Sequence, residues 1–182
     1  YDWATYRASD RVHGLFGHGL GVWLLTPSFE FYTGGPLKQD LTVYEENVLV
    51  NMYHANHFGA NLDAPSQSPP VWEKLYGPNF VYVNTGTDDS LRQDAERQAA
   101  RETEAWPPCW MDHELFPSAA GRGRVHGRIV ERHDRSVDRA MVVLAGPGPL
   151  LPQAYGYMYW TQADADGRFE IVRLGRVGAG RD

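Results

Sequence analysis

Apolar and polar positions along this chain alternate far more often than they recur at helical spacing, which predicts a mainly β protein. Residues 1–20, YDWATYRASDRVHGLFGHGL, show no helical period, and Gly14, Gly17, Gly19 and Gly21 divide them into short extended pieces. Residues 22–26 are a continuous apolar run stopped by Pro27, the pattern of a strand buried on both faces. Thr33-Gly34-Gly35-Pro36 predicts a tight turn, because glycine reaches φ > 0 and proline fixes the exit. A strand over 38–44 comes next, and Glu45-Glu46-Asn47 marks another turn. Residues 48–54 alternate again. One face carries Val48, Val50, Met52 and His54; the other carries Leu49, Asn51, Tyr53 and, with continued extension, His57. Residues 61–70, NLDAPSQSPP, read as a loop, and 80–84 as a short strand.

One segment breaks the β pattern. DDSLRQDAERQAARETEAW has almost no β-branched residue, Thr87 or Asp88 to cap it, and acids in its first turn. Leu91, Ala95, Ala99 and Ala105 give it a thin apolar stripe, so it predicts a surface helix ended by Pro107-Pro108. Beyond Pro117 the composition shifts, and residues 118–123, SAAGRG, read as a linker. Evenly spaced β runs occupy 124–131, 139–145, 155–161 and 168–174, separated by turn residues such as Gly146-Pro147-Gly148-Pro149 and Asp164-Ala165-Asp166-Gly167. That spacing predicts a small antiparallel sandwich, cut short by the end of the chain. No internal repeat is visible.

Composition narrows the function classes. A chain of 182 residues holds one large domain or two small ones. A net charge of −6 without any Lys/Arg cluster argues against a nucleic-acid surface. No run approaches the roughly 18 apolar residues of a membrane span. Cys109 is the single cysteine, which excludes an internal disulfide and a cysteine-based zinc site; between Pro108 and Trp110 it reads as a buried thiol. Six tryptophans in a chain that is 13% aromatic suit both a β core and stacking on sugar rings, with Trp3, Tyr6, Tyr32, Tyr53 and Trp72 the stacking candidates. Fifteen arginines stand against two lysines, Lys38 and Lys74.

Residues 21–59 concentrate the candidate chemistry: an apolar run, the Gly-Gly-Pro turn, Lys38 and the pair His54 and His57. The stretch has the composition of one wall of a site for an acidic sugar. On a strand, His54 and His57 point to opposite faces, so no metal is predicted there. Asp164-Ala165-Asp166-Gly167 lacks the twelfth-position Glu of a calcium loop and predicts a hairpin turn.

The motif GVWLLTPSFEFYTGGPLKQDLTVY, continued by LVNMYHANHFG, resembles the rhamnogalacturonan lyases of polysaccharide lyase family 4. WEKLYGPNFVYVNTG and a charged helix ending in WPPCW are similar to the next segments of those enzymes, and GRVHGRIVER, AMVVLAG and YMYWTQADADGRFEIVRLG resemble their fibronectin type III-like second domain. The ordered set covers nearly the whole chain. The resemblance implies residues 1–117 as the C-terminal part of a galactose-mutarotase-like catalytic β-sandwich and 118–182 as an incomplete fibronectin type III-like domain. It also implies strands missing before Tyr1 and a carbohydrate-binding jelly roll missing after Asp182. A sandwich lacking strands exposes sheet edges and a half-covered core, so those elements are expected from further residues, another chain or altered packing.

Members of this family cleave the rhamnogalacturonan I backbone of pectin between rhamnose and galacturonate by β-elimination. The resemblance therefore implies an extracellular lyase acting on an acidic plant cell-wall polysaccharide, with no cofactor, nucleic acid or membrane partner. β-Elimination needs a base for the C5 proton, a cation or donor on the adjacent carboxylate, and an acid for the leaving oxygen. Electrostatic stabilisation of the enolate-like intermediate should lower the barrier most. The family's Asn-His motif matches Asn56-His57, which implies His57 as general acid. Its base lysine lies upstream of Val12-His13-Gly14, at or before Tyr1, and residues 1–10 contain no lysine. Lys38 belongs to a different motif, GGP-x-KQDLT, and is expected to neutralise the uronate carboxylate. Arg7 and Arg11 suit bidentate carboxylate binding, or ion pairs with Asp2 and Asp10. Asn51, Tyr53 and Asn56 complete the substrate-binding candidates. A non-catalytic carbohydrate-binding or structural protein on the same fold is the competing reading. A mutarotase-type epimerase would need two histidines and an acidic base around a monosaccharide, an arrangement absent from the sequence.

Overall fold

The computed structural model describes residues 2–3, 10–32, 34–37, 39–44, 48–51, 73–132, 137–150, 153 and 156–175. The protein is mainly β, and the described strands pair antiparallel. Strand β1 (Asp2–Trp3) leads to β2 (Val12–Gly17) and β3 (Leu20–Leu25), joined by a tight turn at His18-Gly19. A 3-10 turn at Gly35–Leu37 stands where the Gly-Gly-Pro signal predicts a turn. The expected 38–44 strand divides into β4 (Gln39–Asp40) and β5 (Val43–Tyr44), and the 48–54 strand is described only as β6 (Val48–Leu49). Strand β4 pairs with β1 and β5 with β6. Val50 N–H then donates to Thr42 C=O (2.9 Å), extending that hairpin one step.

The main sheet has the order β2-β3-β7, with β7 spanning Phe80–Thr85. Its register places Trp23 beside Gly14 and Tyr82, and Leu25 beside Val12 and Phe80. Gly14 is required at its position: a Cβ there would lie 2.3 Å from the Val22 carbonyl oxygen and 2.9 Å from Trp23 Cα. Helix α1 (Asp88–Glu104) covers this face, burying Leu91, Ala95 and Ala99 against Val12, Trp23 and Leu25. The thin apolar stripe is thus real, and its small residues let the helix lie close to the sheet. Ala105 is the C-cap residue and is exposed.

The expectation that residues 22–26 are buried on both faces is wrong. Strand β3 alternates, with Trp23 and Leu25 under the helix and Val22 and Leu24 half-buried on the other side. Next to them on β7, Val81 and Val83 are 69% and 56% exposed. The reason is layering: α1 packs on one face of the sheet, and the apolar residues of the opposite face are open to solvent.

The C-terminal part is built from β8 (Gly123–Arg128) paired with β11 (Arg168–Leu174), and β9 (Met141–Leu144) paired with β10 (Tyr159–Gln162). Tyr159, Ile171 and Leu174 form the core between the two ladders, with Val142, Leu144 and Phe169 packed on it. This is the small sandwich that the spaced β runs predict. The Asp164–Gly167 turn joins β10 to β11, which lie in different ladders, so it connects two layers instead of closing a hairpin. Asp164 Oδ1 accepts from the backbone N–H groups of Asp166 (2.9 Å) and Arg168 (2.8 Å), which uses this carboxylate to hold the turn.

Residues 118–123 are not a loose linker. They include a 3-10 turn at Ala119–Gly121, and the Arg122 side chain beyond it is 1% exposed. Cys109, expected to be buried, is exposed.

Candidate functional site

All four described residues from 48 to 51 have named partners, and those of Val50 and Asn51 lie in the wall built from residues 13–32. Tyr32, buried and stacked on Phe31 at 4.9 Å, donates its hydroxyl hydrogen to Asn51 Oδ1 at 2.7 Å. His13 Nε2 lies 2.7 Å from the Val50 carbonyl oxygen. A carbonyl only accepts, so this contact requires the proton on Nε2 and sets the His13 tautomer. The neighbouring Leu49 is paired with Val43. The backbone is therefore delivered to residue 51 in a defined position, and Asn51 spends its oxygen on a protein donor.

Arg11 sits at the entrance to β2. Its guanidinium donates to the Thr26 and Pro27 carbonyls and stands 5.2 Å from the Phe29 ring centroid. From there it lines a cavity of about 210 Å³ walled by Phe29, Trp106, Tyr159, Trp160 and Arg173 among others. Beside this cavity, Glu30 and Arg122 form a bidentate ion pair at 2.9 and 3.0 Å, with both side chains almost fully buried. Arg122 also donates to the carbonyls of Pro117 and Arg173 and lies 4.9 Å from the Phe116 ring centroid. The guanidinium fork thus meets one carboxylate and two carbonyls at once, a geometry lysine lacks.

Burial raises the pKa of Tyr159 far above its ordinary value of 10, with the Glu30 charge adding to the effect. Tyr157 is raised as well, again mainly by burial. Both phenols stay protonated at working pH, so neither is a base for a weakly acidic carbon. Lys74 donates to the Gly156 carbonyl at 2.9 Å and lies over the rings of Tyr76 and Tyr157. Among the described residues no group of three His, Cys, Asp or Glu side chains is arranged to hold a metal, and no helix is long and apolar enough to cross a membrane.

Over 175 residues, 96% of this chain and 29% of the relative, the sequence is 36% identical to the rhamnogalacturonate lyase of Dickeya dadantii. Over nearly its whole length this chain is homologous to part of a rhamnogalacturonate lyase. Fungal rhamnogalacturonate lyases are similar over the same extent. The probable rhamnogalacturonate lyase B of Aspergillus terreus is 26% identical over 94% of this chain and 27% of its own length. Rhamnogalacturonate lyase B of Emericella nidulans is 25% identical over 96% of this chain and 28% of its own. The chain spans less than a third of the length of these curated relatives. No family model and no solved structure matches it.

Of the candidate site residues, Arg7, Lys38, Tyr53, Asn56 and His57 lie outside the described residues. Arg11 and Asn51 are described, and both already have protein partners. Among the stacking candidates, Tyr32 belongs to the core with Phe29 and Phe31. The side chain of Trp3 and the residues Tyr6, Tyr53 and Trp72 are outside the description. Motifs and spacing do not single out Glu30, Arg122, Trp160 or Arg173. One acid inside the aromatic run Phe29-Glu30-Phe31-Tyr32 is a usable signal, because an acid in such a run needs a buried cation. Nothing in SAAGRG marks Arg122 as that cation.

Proposed function

We propose that this chain is part of a rhamnogalacturonate lyase that cleaves the rhamnose–galacturonate bonds of rhamnogalacturonan I by β-elimination. The observation that carries the reading is the 36% identity to a rhamnogalacturonate lyase over 96% of the chain. In this reading residues 1–117 belong to the catalytic β-sandwich and 118–182 to a fibronectin type III-like domain. His57 protonates the leaving rhamnose oxygen as C5 of galacturonate loses its proton, and Lys38 neutralises the carboxylate whose charge grows in the enolate-like intermediate. Arg7, Arg11, Asn51, Tyr53 and Asn56 line the substrate path. The base is not assigned to a residue of this chain. The substrate, an acidic plant cell-wall polymer, places the protein outside the cell.

The Tyr32 and His13 contacts support this arrangement, because they hold the Val50 carbonyl and the Asn51 side chain, seven and six residues before His57. A general acid must sit within hydrogen-bond reach of the oxygen it protonates, so an anchored approach to it has direct chemical value. The test is an absorbance assay on rhamnogalacturonan I, following the unsaturated uronate, with the full-length protein and its His57→Ala variant. Activity in the parent, lowered at least ~100-fold in the variant, is the expected result. A flat trace from the full-length protein, beside a working control lyase, would instead leave a non-catalytic binding protein.

A further inference from the structure

The turn Phe29-Glu30-Phe31-Tyr32 is held from two sides. Internally it is closed by Tyr32 N–H donating to the Phe29 carbonyl at 3.1 Å. On one side its anchors come from beyond residue 118. The Glu30 carboxylate takes the Arg122 fork at 2.9 and 3.0 Å, and the Glu30 carbonyl accepts from Met158 N–H at 3.0 Å. The Phe29 ring lies 5.7 Å from that of Trp160. On the other side Tyr32 donates to Asn51 Oδ1 at 2.7 Å. Four residues thus run from the C-terminal sandwich to a candidate substrate-binding residue.

An ion pair is a costly way merely to join two parts of a chain. The side chains of Arg122 and Glu30 are 1% and 4% exposed, and a well-packed apolar pair often holds such a contact as firmly. What the bidentate pair adds is geometry, because two parallel bonds set both distance and angle. Arg122 is itself held by the Pro117 and Arg173 carbonyls, so the fork is a fixed reference point. Tyr32 lies two residues from Glu30 within the same closed turn, buried and stacked on Phe31. Its hydroxyl therefore takes its position from the ion pair.

Asn51 is where that position matters. It is half-buried, and its Nδ2 makes no hydrogen bond among the described residues. With Oδ1 engaged by Tyr32, the direction of the amide is set, and two N–H donors remain for an oxygen acceptor.

We propose that Arg122 is a positioning residue for the lyase site, holding the Asn51 amide through Glu30 and Tyr32 with its Nδ2 donors on the galacturonate carboxylate. This rests on the reading above, in which Asn51 lines the substrate path. The carboxylate gains charge in the enolate-like intermediate, so donors held in place act more on the transition state than on bound substrate. Their loss of position then falls on kcat.

The experiment is a cycle in the full-length protein on rhamnogalacturonan I: Glu30→Leu with Arg122→Met, Tyr32→Phe, and all three changes together. The apolar pair leaves no buried charge behind. Each of the first two should lower kcat ~10-fold and change KM less than ~3-fold. The triple variant should lose no more than either, because both act through one contact. Should the apolar pair fail to fold, Arg122→Lys, which keeps the charge without the fork, runs the same cycle. A merely structural ion pair would give parent kcat in the folded variant, or losses that multiply in the triple one; either result overturns the role, as does a loss confined to KM. A second readout needs no activity. In nitrogen-15 NMR of this chain, the Asn51 side-chain amide pair, identified by its loss in Asn51→Ala, should shift or broaden in the ion-pair variant as it does in Tyr32→Phe. An unmoved Asn51 signal overturns the coupling. A moved signal beside a flat absorbance trace from the full-length parent would sustain the coupling while removing the functional reading.

Discussion

Taking the Glu30 carboxylate and the Arg122 guanidinium out of water costs several kcal/mol for each ion, and their bidentate contact with two further carbonyls has to offset it. Removing one partner therefore hurts more than removing both. Glu30→Gln should lower the unfolding free energy by about 3–5 kcal/mol, whereas Glu30→Leu with Arg122→Met should cost clearly less than the single change. Urea unfolding of the parent and both variants checks this, and equal losses in the single and double variants would show the pair is not acting as a buried ion pair. Tyr32 makes a smaller contribution of another kind. Tyr32→Phe keeps the packing on Phe31 and deletes the hydrogen bond to Asn51, so stability should fall by only about 1 kcal/mol. In a full-length active lyase the same change should reduce kcat more than it raises KM, because it loosens the backbone leading to His57 without removing a substrate contact.

Helix α1 and strand β7 are joined by a polar cluster as well as by the apolar stripe. Asp94 accepts from Tyr82 Oη at 2.6 Å and from Asn84 Nδ2 at 3.0 Å, and Asn84 in turn accepts from the Trp23 indole at 2.9 Å. The Tyr82 hydrogen bond is the main cause that holds Asp94 below its ordinary 3.8, and the same bond raises Tyr82 above 10. In the unfolded chain Asp94 takes up its proton first as pH falls, so this contribution is intact above about pH 4 and is lost below it. The Tyr82 contribution runs the other way: it is intact below about pH 10 and lost above. Urea midpoints of the parent should therefore drop more steeply as pH falls below about 4 than those of Tyr82→Phe; parallel curves would refute the linkage. The helix itself is legible from sequence, since its cap, its acids and its stripe all agree, and β11 is legible to the residue. The break between β4 and β5 is not, because the alternation of 38–44 shows apolar spacing and says nothing about where partners end. Nor is the Arg173 bulge, from which the side chain reaches the Thr103 carbonyl near the end of α1. Of the candidate site, the residue types come from local motifs, but the partners that fix Asn51 and Arg11 lie at sequence distances of 15 to 19 residues. Only the folded chain brings those together.

At the scale of the molecule, contacts across residue 118 decide how it unfolds. Glu30 with Arg122, Lys74 with the Gly156 carbonyl, and Arg173 with the Thr103 carbonyl each tie the two parts of the chain together, and Phe29, Phe31 and Tyr32 pack with Tyr157 and Trp160. Loss of one part leaves buried charges and aromatic faces of the other uncovered, so a single cooperative transition is expected. Helix circular dichroism and tryptophan fluorescence should report the same urea midpoint, and two separated midpoints would mean independent units. The face of the main sheet opposite α1 has the converse character. Leu15, Val22 and Leu24 are half-buried there, Val81 and Val83 are exposed, and the register puts all five on the same side. An apolar sheet face open to water contributes little to the stability of this chain, yet it should bind a hydrophobic dye while the chain is still folded. Val81→Lys with Val83→Lys should abolish most of that dye fluorescence and move the unfolding free energy by no more than about 0.5 kcal/mol per site. A large loss of stability instead would mean that this face is already packed in solution, and that the half-covered sheet is a partner-covered one.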